Sequence, residues 1–147
     1  MRVLRADDRL WMVRVDKGEE IVTALLEFAA QHDVRCASVT GLGGVRDVTL
    51  AYFDVDVKQY LDRTIHGVLE LVSLVGNLAI ESGKPFLHAH VVLSDREFHC
   101  FGGHLRSAPV AVTAEFAVRC GDATLERRFN ADLGIREQCM LGPGGAP

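Results

Sequence analysis

After one helical segment, the chain contains a series of strand-like runs that only short turn sequences separate. Parallel strands need long crossover connections, which are usually helical, so these short connections predict a mostly antiparallel sheet. The fold class is therefore α+β. The runs are rich in Val, Leu, Thr and Phe, and they span residues 34–40, 45–54, 65–75, 86–93, 97–101, 109–119 and 123–130.

The single predicted helix follows a strand-like run, RLWMVRVD, and extends from about Gly18 to His32. Asp16 is the expected N-cap, and Glu19 stands three residues later, which is the spacing of a capping box. The apolar residues of this segment recur at helical spacing, so one face of the helix is expected to pack on the sheet. These residues are Ile21, Val22, Leu25, Phe28 and Ala29.

The charge of the chain limits its partners. Its 147 residues carry a net charge of −4, whereas binding to phosphate backbones needs a clustered positive field. The sequence therefore indicates no general attraction to nucleic acid or to an anionic membrane. The one basic doublet, Arg127-Arg128, follows Glu126, and we interpret it as a solvated strand edge.

Cysteine spacing and the N-terminal sequence indicate the compartment. The four cysteines form no C-x-x-C pair, which argues against a disulfide framework and against a cysteine zinc site. The start, MRVLRADDRLW, lacks the apolar core of a secretory signal, and no run of about 18 apolar residues predicts a membrane span. We expect one domain over residues 1–138, a flexible tail at 139–147, and a reducing cytoplasm.

Four of the six histidines lie in one stretch, PFLHAHVVLSDREFHCFGGHL, at residues 85–105. His88 and His90 are two residues apart on a predicted strand. Side chains at this spacing share a face and stand about 7 Å apart along the strand. Two imidazoles can therefore converge on one metal ion.

The turn sequence SDRE brings a third histidine to this pair. A three-residue loop at 95–97 would place His88 opposite His104 and His90 opposite Gly102. Directly opposite residues share a face, so three imidazoles would stand together. Gly102 and the adjacent Gly103 would leave room for them.

The same register assigns the remaining polar side chains of this hairpin. His99 points to the other face and is not expected to be a ligand, whereas Cys100 lies on the histidine face opposite Val92, as a neighbour of the site. Three histidines leave a fourth tetrahedral position open, as in catalytic zinc sites. The alternative is that hydrogen bonds satisfy these histidines without a metal.

Two further positions have a structural and a functional interpretation. Glu70 lies within the apolar run VLELVSL, where an unpaired buried carboxylate is costly. It is either a buried carboxylate satisfied by backbone amides or an arginine, or a general acid/base beside the metal. Asn77, in VGNLA, suits a turn or bulge first and a ligand hydrogen bond second.

The glycine-rich segment TGLGGV, at residues 40–45, is superficially similar to a phosphate-binding loop. It lacks the Walker lysine and the G-x-G-x-x-G order, and no helix is predicted after it. A tight turn or a bulge between strands is the better interpretation. Its glycines would then supply a positive φ or allow close backbone approach.

The order of motifs along the chain resembles the PPC (plant and prokaryote conserved) domain family. The similarity covers residues 8–130, through SVTGLGGVRDVTLAYFD, LELVSLVGNLA, GKPFLHAHVVLSD, GGHL and VTAEFAV. The resemblance implies a large, highly curved, mostly antiparallel sheet flanked by one long helix and short helical turns. The fold of acetolactate decarboxylase is similar to this architecture.

The resemblance also implies partners and a cofactor. It implies a homotrimer, a DNA-binding regulatory role, and a bound metal, usually zinc, at His88, His90 and His104. The chain has no R-G-R-P hook for insertion into a minor groove. Another divalent transition metal could replace zinc at the same ligands.

Three functional hypotheses remain. The first is a trimeric, metal-binding PPC protein with a DNA-binding or regulatory role. The second is a zinc-dependent enzyme acting on a small carbonyl or carboxylate metabolite, with Glu70 as the proton carrier. The third is a structural role, in which the histidines stabilise the hairpin or a subunit interface.

Overall fold

The computed structural model describes residues 1–140. Within that range, the chain forms nine strands and one helix, and this helix is too short to cross a membrane. Of the tail expected at 139–147, residues 141–147 lie outside the described residues. The elements are β1 (Arg2–Arg5), β2 (Leu10–Asp16), α1 (Ile21–Gln31), β3 (Ala37–Asp54), β4 (Gln59–Glu81), β5 (Lys84–Ser94), β6 (Cys100–Ser107), β7 (Val110–Cys120), β8 (Leu125–Asn130) and β9 (Ile135–Met140).

All nine strands belong to one large sheet with the order β1-β2-β7-β3-β6-β5-β4-β8-β9. β3 also pairs with β4, so β3, β6, β5 and β4 form a closed circuit, and the sheet must curve strongly. The sheet is mixed, because β4 and β8 run parallel where Ile80 pairs with Glu126 and Glu81 with Arg127. The expectation of a mostly antiparallel sheet missed this pairing.

The helix is shorter than predicted and has a different N-cap. α1 begins at Ile21, and the Glu20 carboxylate accepts hydrogen bonds from the backbone N–H groups of Val22 and Thr23. Asp16, the predicted N-cap, ends β2, and its N–H donates to the Glu19 carboxylate over 2.8 Å. The predicted capping-box pair thus closes a strand-to-helix turn, and the 11-residue helix starts after it. No further helical turn occurs within residues 1–140.

The glycine-rich segment is a bulged strand. The predicted runs 34–40 and 45–54 merge into β3, and its register shifts between Gly41 and Gly43. A Cβ at Gly41 would stand 2.1 Å from the Phe116 ring, and one at Gly43 would stand 2.5 Å from the Ala114 backbone. The bulge interpretation is confirmed, and close approach of β7 explains why these two positions are glycine.

The core lies between α1 and one face of the curved sheet. The predicted apolar face of α1 is buried, and strand β5 alternates, with its odd-numbered residues from Leu87 to Leu93 buried. His88 and His90 stand on the opposite face, away from the core. The largest fully buried side chains are Phe28, Phe116, Ile21, Leu25, Leu71, Leu74, Leu78, Leu93, Val13, Val15, Val39 and Val45.

Candidate metal centre

The β5–β6 hairpin brings three histidines to one face of the sheet. His90 pairs with His104, and Val92 pairs with Gly102. The predicted pairs, His88 with His104 and His90 with Gly102, were wrong by two residues. A shift of two residues leaves every side chain on its predicted face, so the predicted grouping of the histidines holds.

A wider loop than expected causes the register shift. The connection covers residues 95–99, and the Asp95 carboxylate accepts hydrogen bonds from the N–H groups of Glu97 and His99, each over 2.9 Å. Phe98 adopts a positive φ of 64°. His99 lies in this loop, where its ring is 3.2 Å from Asp95. It is not part of the histidine cluster.

The three imidazoles form a compact cluster. One ring nitrogen from each of His88, His90 and His104 lies within 4.8 Å of the other two. The ring centroids are 5.3–5.4 Å apart. Zinc binds imidazole nitrogen at about 2.0–2.1 Å, so small rotations of the side chains would bring all three nitrogens to one ion. The donor set and its spacing fit a divalent transition metal.

Burial favours the neutral form of two rings of this cluster, His88 and His104. Burial, with the neighbouring His88, Arg106, His90 and Arg127, lowers the pKa of His104 from 6.5 to about 4. Burial, followed by the charges of Arg127 and His90, also lowers the pKa of His88. Only a neutral imidazole offers a lone pair to a metal. These two rings are therefore ready to bind a metal at neutral pH.

The cluster opens into a cavity of about 460 Å³. Tyr60, at the start of β4, packs its ring 5.4 Å from the His104 ring. The Arg106 guanidinium lies 4.3 Å from the Tyr60 ring centroid and donates to Asp62 over 3.3 Å. The lining consists of Ala51, Tyr52, Phe53, Tyr60, His88, His90, Gly102, Gly103 and His104.

Sequence reasoning missed Tyr60 and Arg106. Their approach to the histidines depends on pairings of β3 with both β4 and β6, which join distant parts of the chain. No spacing pattern relates Tyr60 to His104 in the sequence. The alternation of Gly102, His104 and Arg106 on β6 does place Arg106 on the histidine face, and that signal was available.

Two polar residues of other strands lie beside His88. Asn77 pairs with His88 within β4, near the end of that strand, and not in the turn or bulge that its sequence suggested. Its Oδ1 is buried, with no hydrogen-bond partner within residues 1–140. Arg127 of β8 places Nη1 3.4 Å from His88 Nδ1 and packs over the Phe86 ring at 4.9 Å.

Glu70 does not join the histidines. It pairs with Ser94, whereas His90 pairs with Val75, five residues further along β4. That separation is about 16 Å of strand. Glu70 is exposed, so the interpretation as a buried carboxylate was wrong. The bulge between Leu71 and Ser73 changes which side chains of β4 face solvent.

The remaining predicted neighbours divide between the cavity and its surroundings. Gly102 and Gly103 both line the cavity. A Cβ at Gly102 would meet the Val91 carbonyl at 3.2 Å, so a glycine eases the approach of the strands as well as leaving room. Cys100 is exposed, pairs with Ser94 where Val92 was predicted, and does not line the cavity.

Comparison with known proteins identifies the family. Residues 5–120 match the model of the Plants and Prokaryotes Conserved (PCC) domain. The chain belongs to this PCC domain family. This is the family that the motifs of the sequence resemble under the name PPC, so that prediction is confirmed. Comparison with curated proteins gives no match.

Solved structures agree with this assignment over nearly the whole chain. A candidate DNA-binding protein of Bacteroides thetaiotaomicron is 27% identical, with a TM-score of 0.91, and the match covers 95% of this chain and 96% of that one. A PPC protein of Pyrococcus horikoshii is 31% identical, with a TM-score of 0.81 and the same coverage. A metal-containing protein of Archaeoglobus fulgidus is 29% identical, with a TM-score of 0.83 and coverage of 95% and 99%.

Proposed function

We propose that this PCC-domain protein binds one divalent transition metal ion per chain, zinc first among the candidates, through His88, His90 and His104. The carrying observation is the compact cluster, in which one nitrogen from each ring lies within 4.8 Å of the others. The metal-containing relative from A. fulgidus supports the proposal.

The surrounding residues favour binding in two ways. Burial keeps His88 and His104 neutral, so both rings act as donors at neutral pH. The cavity leaves one side of the cluster open to a ligand. When bound, a zinc ion supplies a Lewis acid to that ligand.

Metal content tests this proposal. The full chain, purified without an affinity tag, should contain close to one equivalent of metal, and His104→Asn should contain close to none. His99→Asn is the matched control, since His99 lies on the same hairpin outside the cluster. Equal metal content in all three proteins would refute the proposal.

The second candidate function is that of a zinc-dependent enzyme acting on a small carbonyl or carboxylate metabolite. The observation that favours it is the 460 Å³ cavity beside the cluster, which Tyr60 lines and Arg106 adjoins. Glu70, which sequence analysis suggested as the proton carrier, stands about 16 Å along β4 from the pair of His90. Tyr60 is therefore the nearer candidate for hydrogen bonding to such a ligand.

Cobalt substitution tests the enzyme hypothesis. Visible absorption of the Co²⁺-loaded chain should change when pyruvate or acetate is added, because an added ligand alters the coordination of the ion. The spectrum of His104→Asn should not respond. If neither compound changes the Co²⁺ absorption spectrum, no such ligand reaches the metal.

We further propose a homotrimer and a regulatory role through DNA, in a reducing cytoplasm. Exposed apolar side chains on the sheet, including Val68, Val72, Val75 and Val92, support self-association. Light scattering should give three times the monomer mass. If a chelator dissociates the trimer, the histidines have a structural role at the interface instead.

The names of structural relatives support the DNA-binding hypothesis, and the net charge of −4 opposes it. A gel-shift assay across a salt series would decide between them. Phosphate contacts should give a complex that weakens steeply with salt. No shift at low salt would exclude the DNA-binding role.

A further inference from the structure

A second cavity, which we call the arginine cavity, lies beside the metal centre and has a volume of about 420 Å³. Its lining is mainly polar, and it includes four arginines from three separate parts of the chain. These are Arg35, Arg127, Arg128 and Arg136. Folding thus creates a cluster of positive charge in a chain whose net charge is −4.

Three backbone contacts assemble the arginine cavity. The parallel pairing of β4 with β8 sets Glu81 against Arg127. The β8–β9 hairpin brings Arg136 to the same place, and the N–H of Leu125 donates to the Arg35 carbonyl over 3.1 Å. The doublet Arg127-Arg128, which looked like a solvated strand edge in the sequence, lines this cavity instead.

Arg127 differs from the other three arginines of the cavity because it forms no ion pair with a carboxylate within residues 1–140. Each of the others has one carboxylate nearby, as the pairs Arg35–Asp33 (3.8 Å), Arg128–Glu126 (3.3 Å) and Arg136–Glu81 (3.0 Å) show. Arg127 has no carboxylate within 4.0 Å among residues 1–140. It is only partly exposed, and its Nε is buried without a hydrogen-bond partner in that range.

The Arg127 guanidinium donates to the Arg136 carbonyl and packs over the Phe86 ring, but no carboxylate pairs with it directly within residues 1–140. A partly buried charge without a direct counter-ion is costly unless a ligand pairs with it. The three flanking ion pairs are at least partly exposed, and such pairs contribute little stability, so their arginines can turn toward a ligand at low cost. The fork of N–H donors on arginine matches the oxygens of a phosphate group.

We propose that the arginine cavity binds the phosphate group of a small phosphorylated molecule, with Arg127 as its central contact. The cavity is concave, which suits a terminal phosphate group. A duplex backbone would instead need an extended positive surface. The site adjoins the metal centre at Arg127, but it shares no lining residue with the metal cavity and does not require the proposed metal.

Calorimetric titration of the metal-free full chain with inorganic phosphate, at constant ionic strength, tests the proposal. We expect saturable binding of one phosphate per chain. Arg127→Gln should weaken it at least tenfold, and Arg128→Gln, a partly exposed position that tolerates substitution, several-fold. Arg96→Gln is the control, because Arg96 is 90% exposed and pairs with Glu97 elsewhere.

The binding should persist in His104→Asn, because that ring lines the other cavity. Any of four results would overturn the proposal: no saturable binding, undiminished binding in Arg127→Gln, equal weakening by Arg96→Gln, or loss of binding in His104→Asn. If Arg127→Gln does not fold, Arg128→Gln decides. A DNA duplex that binds through Arg127 while phosphate does not would also overturn it.

Discussion

The metal centre and the arginine cavity adjoin at Arg127, and they differ in how the chain builds them. The three histidines come from β5 and β6, two strands joined by one five-residue loop. The four arginines come from the α1–β3 connection, β8 and β9, which are brought together by the β8–β9 hairpin, the hydrogen bond from Leu125 to Arg35 and the parallel contact of β8 with β4. Only the metal centre is built by a single hairpin between strands that are adjacent in the sequence.

The two cavities also differ in their electrostatics. In the histidine cluster, burial lowers the pKa of His88 and His104, and Arg106 and Arg127 lower that of His104 further, so these two rings are neutral donors. The arginine cavity holds a permanent cation without a carboxylate partner among residues 1–140. One site therefore suits a metal cation bound through lone pairs, and the other suits an anion. The predictions below test whether the two sites are separate.

Metal binding should have the largest effect on stability. Zinc at a concentration of about a thousand times its dissociation constant should raise the free energy of unfolding by about 4 kcal/mol. Phosphate at about ten times its dissociation constant should raise the same free energy by about 1.4 kcal/mol. Denaturant unfolding with and without each ligand measures both values. His90→Asn should abolish the stabilisation by zinc and leave the stabilisation by phosphate unchanged. Equal midpoints with and without zinc would contradict the account.

The next effect concerns the residue that the two sites share. Arg127→Gln should weaken phosphate binding at least tenfold while zinc affinity changes by no more than a few-fold, because Arg127 contacts His88 but is not a metal ligand. Competition titrations with a zinc indicator measure the second value. A parallel collapse of both affinities would mean that the two cavities act as one unit.

The stability of the metal-free protein should depend on pH. The pKa of His104 is about 4 in the folded chain and 6.5 ordinarily, so the unfolded chain takes up this proton first as pH falls. Stability should be full above about pH 6.5 and decline toward pH 4. Carboxyl groups with lowered pKa values, such as Glu19 and Asp47, lose their contribution only below about pH 4.5.

Thermal unfolding at half-unit pH steps measures this decline. His104→Asn should reduce the decline between pH 6.5 and 4.5, where the carboxyl groups contribute little, and the lowered pKa of the partly buried His88 should leave part of it. His88, Arg106, His90 and Arg127 all surround the titrating ring and stay in place in that variant. An unchanged profile would show that His104 is not the titrating group.

The smallest effect should come from Tyr60. Tyr60→Leu removes the ring that packs on His104 and under Arg106, so stability should fall by about 0.5–1 kcal/mol and zinc affinity by less than tenfold. Tyr52→Leu is the matched control, because Tyr52 lines the same cavity and is 68% exposed. If the two substitutions have equal effects, Tyr60 contributes nothing specific to the metal centre.

The sequence predicted the histidine site because strand parity survives an error of two residues. His88, His90 and His104 keep their common face whether the loop has three residues or five. The position of Glu70 could not be predicted in the same way. The apolar run VLELVSL suggested burial, but Val68, Glu70 and Val72 share the exposed face of β4, while Leu69 and Leu71 are buried.

Long-range contacts account for most of what was missed. The mixed character of the sheet and the arginine cavity both depend on the parallel contact of Glu81 with Arg127, to which no local pattern points. β1 and β9 were not predicted, because their sequences are short, only half apolar, and without clear alternation. The helix starts at Ile21 because Asp16 still belongs to β2, and the Glu20 carboxylate caps the helix by accepting from the N–H groups of Val22 and Thr23.

The most direct test of the central claim is a crystal structure of the zinc-loaded protein, with anomalous scattering recorded at the zinc absorption edge. The account predicts one anomalous peak per chain, at about 2.0–2.1 Å from a ring nitrogen of each of His88, His90 and His104. The absence of a peak at the three rings, or a peak bound elsewhere on the chain, would contradict it.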